Sequence, residues 1–170
     1  MTPSNTKKSH SSTLPRQSIQ DALEECPARI ADLAWSAGFV DGEGCISAVR
    51  QTYKDPSRRA CFRFRLQVAQ NDLASLQRLQ KILGVRSNIA QVKWNTAQNR
   101  PIYSLIVDGR HVIGALLMLE PFLFRKKFQA RACFDLWEKG WMGVHPGPKG
   151  IPEHIWEVRE SYFKRLQRMK

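Results

Sequence analysis

Residues 31–44 read A-D-L-A-W-S-A-G-F-V-D-G-E-G, and the rest of the chain is organised around them. Ala34, Gly38 and Gly42 recur every four residues, so on a helix they line one stripe. A stripe without bulky side chains lets a second backbone come close. Leu33, Ala37 and Val40 flank it, while Trp35 and Phe39 are left to pack elsewhere. The stripe runs into Asp41, Gly42, Glu43 and Gly44, which puts two carboxylates where the helix ends. Acids there oppose the helix dipole, by about 0.3–1 kcal/mol. Glycine caps and Asp-Gly turns are common, so a turn with a solvated Asp and Glu is one reading. The other is that an acid tolerated in a poor electrostatic position has a compensating cation or a function. A calcium loop is excluded, because Asp41, Glu43 and Cys45 do not continue an EF-hand ligand series.

The 170 residues are enough to bury one domain's core. A formal charge of +12 and a pI near 10.0 point to a polyanionic partner, without separating DNA from RNA, anionic lipid or a ribosome. No apolar run approaches membrane-spanning length and no basic start precedes a hydrophobic segment, so neither membrane nor secretory signal is expected. Cys26, Cys45, Cys61 and Cys133 are scattered with no C-x-x-C pair, which argues against zinc and for free thiols in a reducing compartment. That compartment is expected to be a bacterial cytoplasm or an organelle.

Residues 1–26 are expected to form a flexible basic arm, since no acid precedes Asp21. Pro27 suits the first turn of the motif helix. Two strand-like runs follow, Cys45 to Tyr53 and Cys61 to Ala69. In the second, Phe62, Phe64, Leu66 and Val68 alternate with Arg63, Arg65 and Gln67. Asp72 caps a helix expected over Leu73 to Leu83, which Gly84 ends. A second hairpin is expected over Asn88 to Trp94 and Ile102 to Val107. Helices follow over His111 to Leu119 and Phe124 to Glu138, then a linker from Gly140 to Gly150 and an amphipathic helix from Glu153 to Met169. Two hairpins can share one antiparallel sheet, apolar face under helices and the other face open. The charge pattern marks the open face: from Gly44 to Val107 the only acids are Asp55 and Asp72, among eleven Lys and Arg residues. An ordinary solvated sheet has mixed signs.

The stretch S-A-G-F-V-D-G-E-G, Ser36 to Gly44, resembles the signature of the LAGLIDADG homing endonucleases. The resemblance implies an α+β fold of order α-β-β-α-β-β-α over residues 27–139, with its antiparallel sheet on DNA and helices on the other face. Residues 140–170, the linker and C-terminal helix, lie outside it. It implies a homodimer packed through Ala34, Ala37, Gly38 and Gly42. It makes Glu43 the metal ligand, with the Gly42 carbonyl beside it, and Mg²⁺ or another divalent cation such as Mn²⁺ the cofactor. F-R-L-Q-V-A-Q at 64–70 resembles the end of the family's second strand, which makes Gln70 the group beside the attacking water. L-E-P-F-L-F-R-K-K-F-Q-A at 119–130 resembles the turn that delivers a lysine, Lys126 or, one residue off, Lys127. Ala74 and Ser75 stand where the family often carries an arginine, and Arg78 is the candidate substitute.

Phosphodiester hydrolysis needs an activated water and stabilised charge, which these groups would supply. His10, His111, His145 and His154 fit no nucleophile arrangement. A two-stranded ribbon fits the major groove, where Arg63, Arg65 and Gln67, joined by Ser47, Gln51, Gln91 and Lys93, would meet base edges. Arg58 and Arg59, in a loop, suit phosphates. The expectation is a site-specific, Mg²⁺-dependent endonuclease on a long, roughly palindromic duplex, with no small-molecule substrate. A non-catalytic binder on the same fold, an intron-splicing maturase or transcription regulator, is the alternative. A basic ribosome-associated protein would account for the charge but not for the D-G-E-G helix.

Overall fold

Helix α1 (Pro27–Glu43) begins at a proline, whose missing N–H is no loss in a first turn. Leu33, Ala37 and Val40 recur on its inner face and are fully buried. Burial of each larger side chain is worth about 1.5–3 kcal/mol. The helix passes without a loop into strand β1 (Gly44–Gln51). Only glycine permits this join, because a Cβ on Gly44 would stand 2.7 Å from the carbonyl oxygen of Val40. The computed structural model describes residues 27–55, 59–92, 101–144 and 150–169. Its further elements are β2 (Cys61–Gln70), α2 (Leu73–Leu83), β3 (Ile89–Val92), β4 (Ile102–Asp108), α3 (Arg110–Leu119), a 3₁₀ turn (Glu120–Phe122), α4 (Lys127–Gly140) and α5 (Glu153–Arg168).

The strands form one antiparallel sheet in the order β1-β2-β4-β3. Strand alternation places Ile46, Ala48, Phe62, Phe64, Leu66, Val68, Leu105 and Val107 on the face buried in the core. The other face carries Ser47, Arg63, Arg65, Gln67 and Ser104. Asp72 caps α2 by accepting from the Ala74 N–H, and Gly84 ends it, as its sequence predicts. Gly109, at φ 67°, turns β4 directly into α3. Its N–H donates to the Phe64 carbonyl at 2.9 Å.

The α4 boundary differs from its sequence expectation. The helix starts at Lys127 rather than Phe124 because the N–H groups of Phe124, Arg125 and Lys126 bond elsewhere, to the Asp41 carboxylate. The C-terminal helix α5 docks on α4 and along the β1 edge. Gln167 Nε2 donates to the Ala48 carbonyl, and Trp156 Nε1 to that of Ala60. Trp156 and Phe163 both meet Phe62, with centroids at 5.8 Å. The buried Arg159 donates Nε and Nη2 to the Gly140 carbonyl at 2.9 and 2.7 Å, capping the negative end of α4. An exposed sheet edge invites unwanted pairing, and α5 covers this one.

Candidate active site and nucleic-acid face

The two acids of the D-G-E-G turn have opposite surroundings. Residues two apart on a helix stand about 200° apart. Asp41 is 8% exposed, and its carboxylate accepts from the N–H groups of Phe124, Lys126 and Arg125 at 2.6, 2.8 and 3.2 Å. Burial pushes its pKa up, but those three bonds and the Lys126 charge outweigh burial and hold it below the usual carboxylate range. Glu43 is exposed at the helix end. The reading of both acids as solvated therefore fails for Asp41, which fixes the segment ahead of α4.

That segment brings Lys126 to the turn. Its Nζ donates to the Asp41 carbonyl. Burial, helped by Arg125, lowers the lysine's pKa, while Asp41, Cys45 and Glu43 act to raise it. Lys126 is thus in the field of Glu43. It lines a cavity of about 470 Å³ with Gly44, Cys45, Ile46, Arg125, Gln129 and Met169. Lys127 begins α4 instead. Gln70, the last residue of β2, lies two residues beyond the Gly44–Val68 pair, at the end of the sheet where α1 joins β1. Its Oε1 accepts from the Asn71 N–H at 2.8 Å. Glu43, Gln70 and Lys126 therefore share one end of the sheet.

Arg78 does not join them. It pairs with Asp32 at 3.0 Å and lies 4.4 Å over the Trp35 ring, which itself stacks on Phe39. Ala34, Gly38 and Gly42 are exposed, and a Cβ on either glycine would meet nothing within 4 Å. Ala37 is a correction: it is fully buried in the chain's own core and is not part of that open stripe.

The open sheet face is more internally partnered than its charge suggests. Ser47 is 4% exposed, directly opposite Arg65 in register, and so is withdrawn from the surface. Gln91 pairs with Tyr103 in the row of Gln70, and alternation puts it on the side of Ile89 and Leu105, opposite to Arg65. Arg59 is held by Glu153 of α5 through two contacts, at 2.5 and 2.8 Å, and lies over Trp156. Gln67 donates to the Ser104 hydroxyl at 3.1 Å. Gln51 is half-buried beside Cys61, and Arg63 is exposed. Arg58 and Lys93 lie outside the described residues. Arg65 makes a bidentate pair with Asp108, from Nε to Oδ1 at 2.8 Å and from Nη2 to Oδ2 at 2.9 Å. Among the described residues, Cys45, Cys61 and Cys133 are free thiols, and no helix is long and apolar enough to cross a membrane.

The sequence model of the LAGLIDADG endonuclease family matches residues 36–117, from the motif helix through most of α3. The structure of the homing endonuclease I-CvuI in complex with its target and Ca is similar at a TM-score of 0.68 and 25% identity, over 84% of each chain. Over residues 36–117 the chain is thus similar to the LAGLIDADG endonucleases in sequence, and over 84% of its length to I-CvuI in fold. The archaeal intron-encoded homing endonuclease I-Vdi141I, complexed with DNA, shares the LAGLIDADG fold at a TM-score of 0.66 and 16% identity, over 83% of this chain and 85% of that one. The homing endonuclease I-TnaI does so at 0.57 and 20% identity, over 81% and 94%. A search of curated proteins finds no significant match. The four-stranded antiparallel sheet and five helices are the LAGLIDADG arrangement, and coverage above four-fifths of this chain carries it past the 36–117 match.

Proposed function

We propose that this chain is a site-specific, metal-dependent DNA endonuclease of the intron-homing kind, which hydrolyses both strands of a duplex as a homodimer. The observation that carries the reading is the exposed Glu43, two residues past the Asp41 carbonyl that holds Lys126 Nζ, at the end of a helix whose small-residue stripe is exposed and open around Gly38 and Gly42. A second copy packed along Ala34, Gly38 and Gly42 brings two Glu43 carboxylates together. The minor groove is about 6 Å wide, so two such centres address both strands across it. The family match over residues 36–117 supports the reading, as do the DNA complexes of I-CvuI and I-Vdi141I.

The donors fit a hard cation. The Glu43 carboxylate is joined by the Gly42 carbonyl, one of the last carbonyls of α1, at the negative end of the helix dipole. Among the described residues no group of three or more His, Cys, Asp or Glu could hold a metal alone. Mg²⁺ commonly takes one or two carboxylates and completes its shell with water and substrate phosphate. When bound, Mg²⁺ or Mn²⁺ supplies positive charge opposite the scissile phosphate; the I-CvuI and I-SmaMI structures were obtained with Mg or Ca. The chain's own groups do the rest. Glu43 holds the cation side of the phosphate, Gln70 orients water by its amide, and Lys126 places its ammonium where charge develops. The open face, through Arg63, Arg65, Gln67 and Gln51, lies in the major groove of a long, roughly palindromic target.

Glu43→Gln tests this. It keeps the shape, removes the cation-binding charge and relieves repulsion between the paired acids. Cleavage should fall by at least a hundredfold with Mg²⁺, while affinity for the same duplex without metal holds or improves. Near-normal cleavage would sink the assignment. Sequence-specific binding by wild type with no cleavage in Mg²⁺ or Mn²⁺ would leave the maturase or regulator reading.

A further inference from the structure

Asp108 is out of place on a DNA-facing surface. From Gly44 to Val107 the only acids are Asp55 and Asp72, and neither is on the sheet. Asp108, the last residue of β4, stands on the open face in one cross-strand row with Arg65 and Ser47. An acid there repels phosphates, so its presence calls for a local reason. Asp108 lines a cavity of about 500 Å³ together with Arg63 and Arg110, yet its hydrogen bonds go to Arg65.

The atoms used are informative. The carboxylate takes Nε and Nη2, the side edge of the guanidinium. A guanidinium has five N–H donors in one plane. Binding its side edge leaves Nη1 and the second Nη2 hydrogen as a parallel pair on the end edge, with no protein partner among the described residues. The fork also fixes the plane of that free edge, because both forks share it. Two parallel N–H groups match O6 and N7 of guanine in the major groove. An unpinned arginine would have to order several torsions on binding. Here the protein orders them beforehand.

We infer that Asp108 is a specificity-setting positioning residue: it holds Arg65 side-on so that its end edge reads a guanine in the major groove. The inference rests on the proposed function and deepens it. Two lesser roles compete. Asp108 is then either a cross-strand ion pair that only stabilises the sheet, or a negative charge that only weakens DNA binding.

The experiment is selection of bound duplexes from a randomised library, in Ca²⁺, by wild type, Arg65→Ala, Asp108→Asn, Asp108→Glu and the Arg65→Ala/Asp108→Asn pair, with thermal melting alongside. Arg65→Ala should relax preference at one base pair per half-site by about 5- to 150-fold, the span of a bidentate contact. Asp108→Asn should relax the same base pair, and the double variant no further than Arg65→Ala. Asp108→Glu keeps the charge but displaces the fork by a methylene, so it too should lose preference there. Uniformly tighter binding by Asp108→Asn with preference intact, or full preference in Asp108→Glu, overturns the inference while Arg65 keeps its reading role. A lower melting point with base preference unchanged reduces Asp108 to a structural pair, and equally overturns it. If Arg65→Ala changes no base preference, Arg65 does not read bases and the inference falls with it. If wild type itself selects no sequence, the proposed function is what fails.

Discussion

Asp41→Asn keeps the size of the side chain and removes one charge from a buried position. The carboxylate now accepts three backbone N–H bonds from Phe124, Lys126 and Arg125. An asparagine offers one acceptor oxygen and turns an N–H₂ donor toward at least one of those donors. One or two charge-assisted bonds, each worth about 1.5–3 kcal/mol, are lost or become neutral. The expected destabilisation is roughly 2–4 kcal/mol, which for a domain of this size lowers Tm by roughly 5–15 °C. It should also slow cleavage, because the segment released is the one that carries Lys126. The pH dependence supplies an internal check. Because the folded Asp41 has a depressed pKa, its contribution is fully present above the unfolded carboxyl value and disappears as pH falls through the folded one. The stability gap between wild type and Asp41→Asn should therefore be constant near neutrality and close below about pH 4. Urea melts at several pH values measure it. A gap under about 0.5 kcal/mol at pH 7 would refute the role given to these three bonds, as would a gap that widens in acid.

Gly38→Leu should leave the isolated fold intact, since a Cβ there meets nothing within 4 Å, while preventing close packing of two α1 helices. Overpacking costs about 1–3 kcal/mol per site and occurs twice in a dimer, so sedimentation should show monomer with an unchanged circular dichroism spectrum; a persisting dimer would place the interface elsewhere. Lys126→Met should slow cleavage by about 10²–10³-fold with affinity in Ca²⁺ nearly unchanged, as for loss of one transition-state donor. Lys127→Met should stay within a few-fold of wild type, and the reverse ranking would reassign the lysine.

Local signals made much of this fold legible. The second strand shows its two faces because Phe62, Phe64, Leu66 and Val68 are all buried and alternate with polar residues. The second helix is bracketed by Asp72 and Gly84, both of which act as the caps their chemistry favours. What escaped depends on distant partners. Asp41 meets Phe124 across 83 residues, Arg65 meets Asp108 across 43, and Arg159 meets Gly140 across 19. No window on the sequence contains such pairs. Gln91 shows a different limit: its face follows from register with β4, and a one-residue shift would have placed it beside Arg65. Ser47 has the expected face but not the exposure, since alternation assigns a side and says nothing of what lies over it. The resemblance to known motifs pointed to Glu43, Gln70 and either Lys126 or Lys127; that Lys126 rather than Lys127 is the lysine whose Nζ bonds the Asp41 carbonyl depends on a contact across 85 residues.

The spacing of the D-G-E-G turn now has a physical reason. One helical turn must hold an acid inward, to fasten the segment that delivers Lys126, and an acid outward, free for the proposed cation. Two positions apart is the separation that achieves both, about 200° around the axis. Gly42 between them leaves the outer face bare, with nothing within 4 Å of where its Cβ would be, so a second helix can approach at the level of Glu43. Gly44 after them lets the strand begin at once, since any side chain would strike the Val40 carbonyl at 2.7 Å. A loop inserted there would separate Glu43 from the end of β2, where Gln70 lies two residues beyond the Gly44–Val68 pair. The acid that fastens, the acid that is offered, the bare stripe and the loop-free join thus all constrain the same four residues. An Asp41 variant should accordingly disturb Lys126, whereas a Glu43 variant should leave the fold untouched, and this difference separates the two acids experimentally.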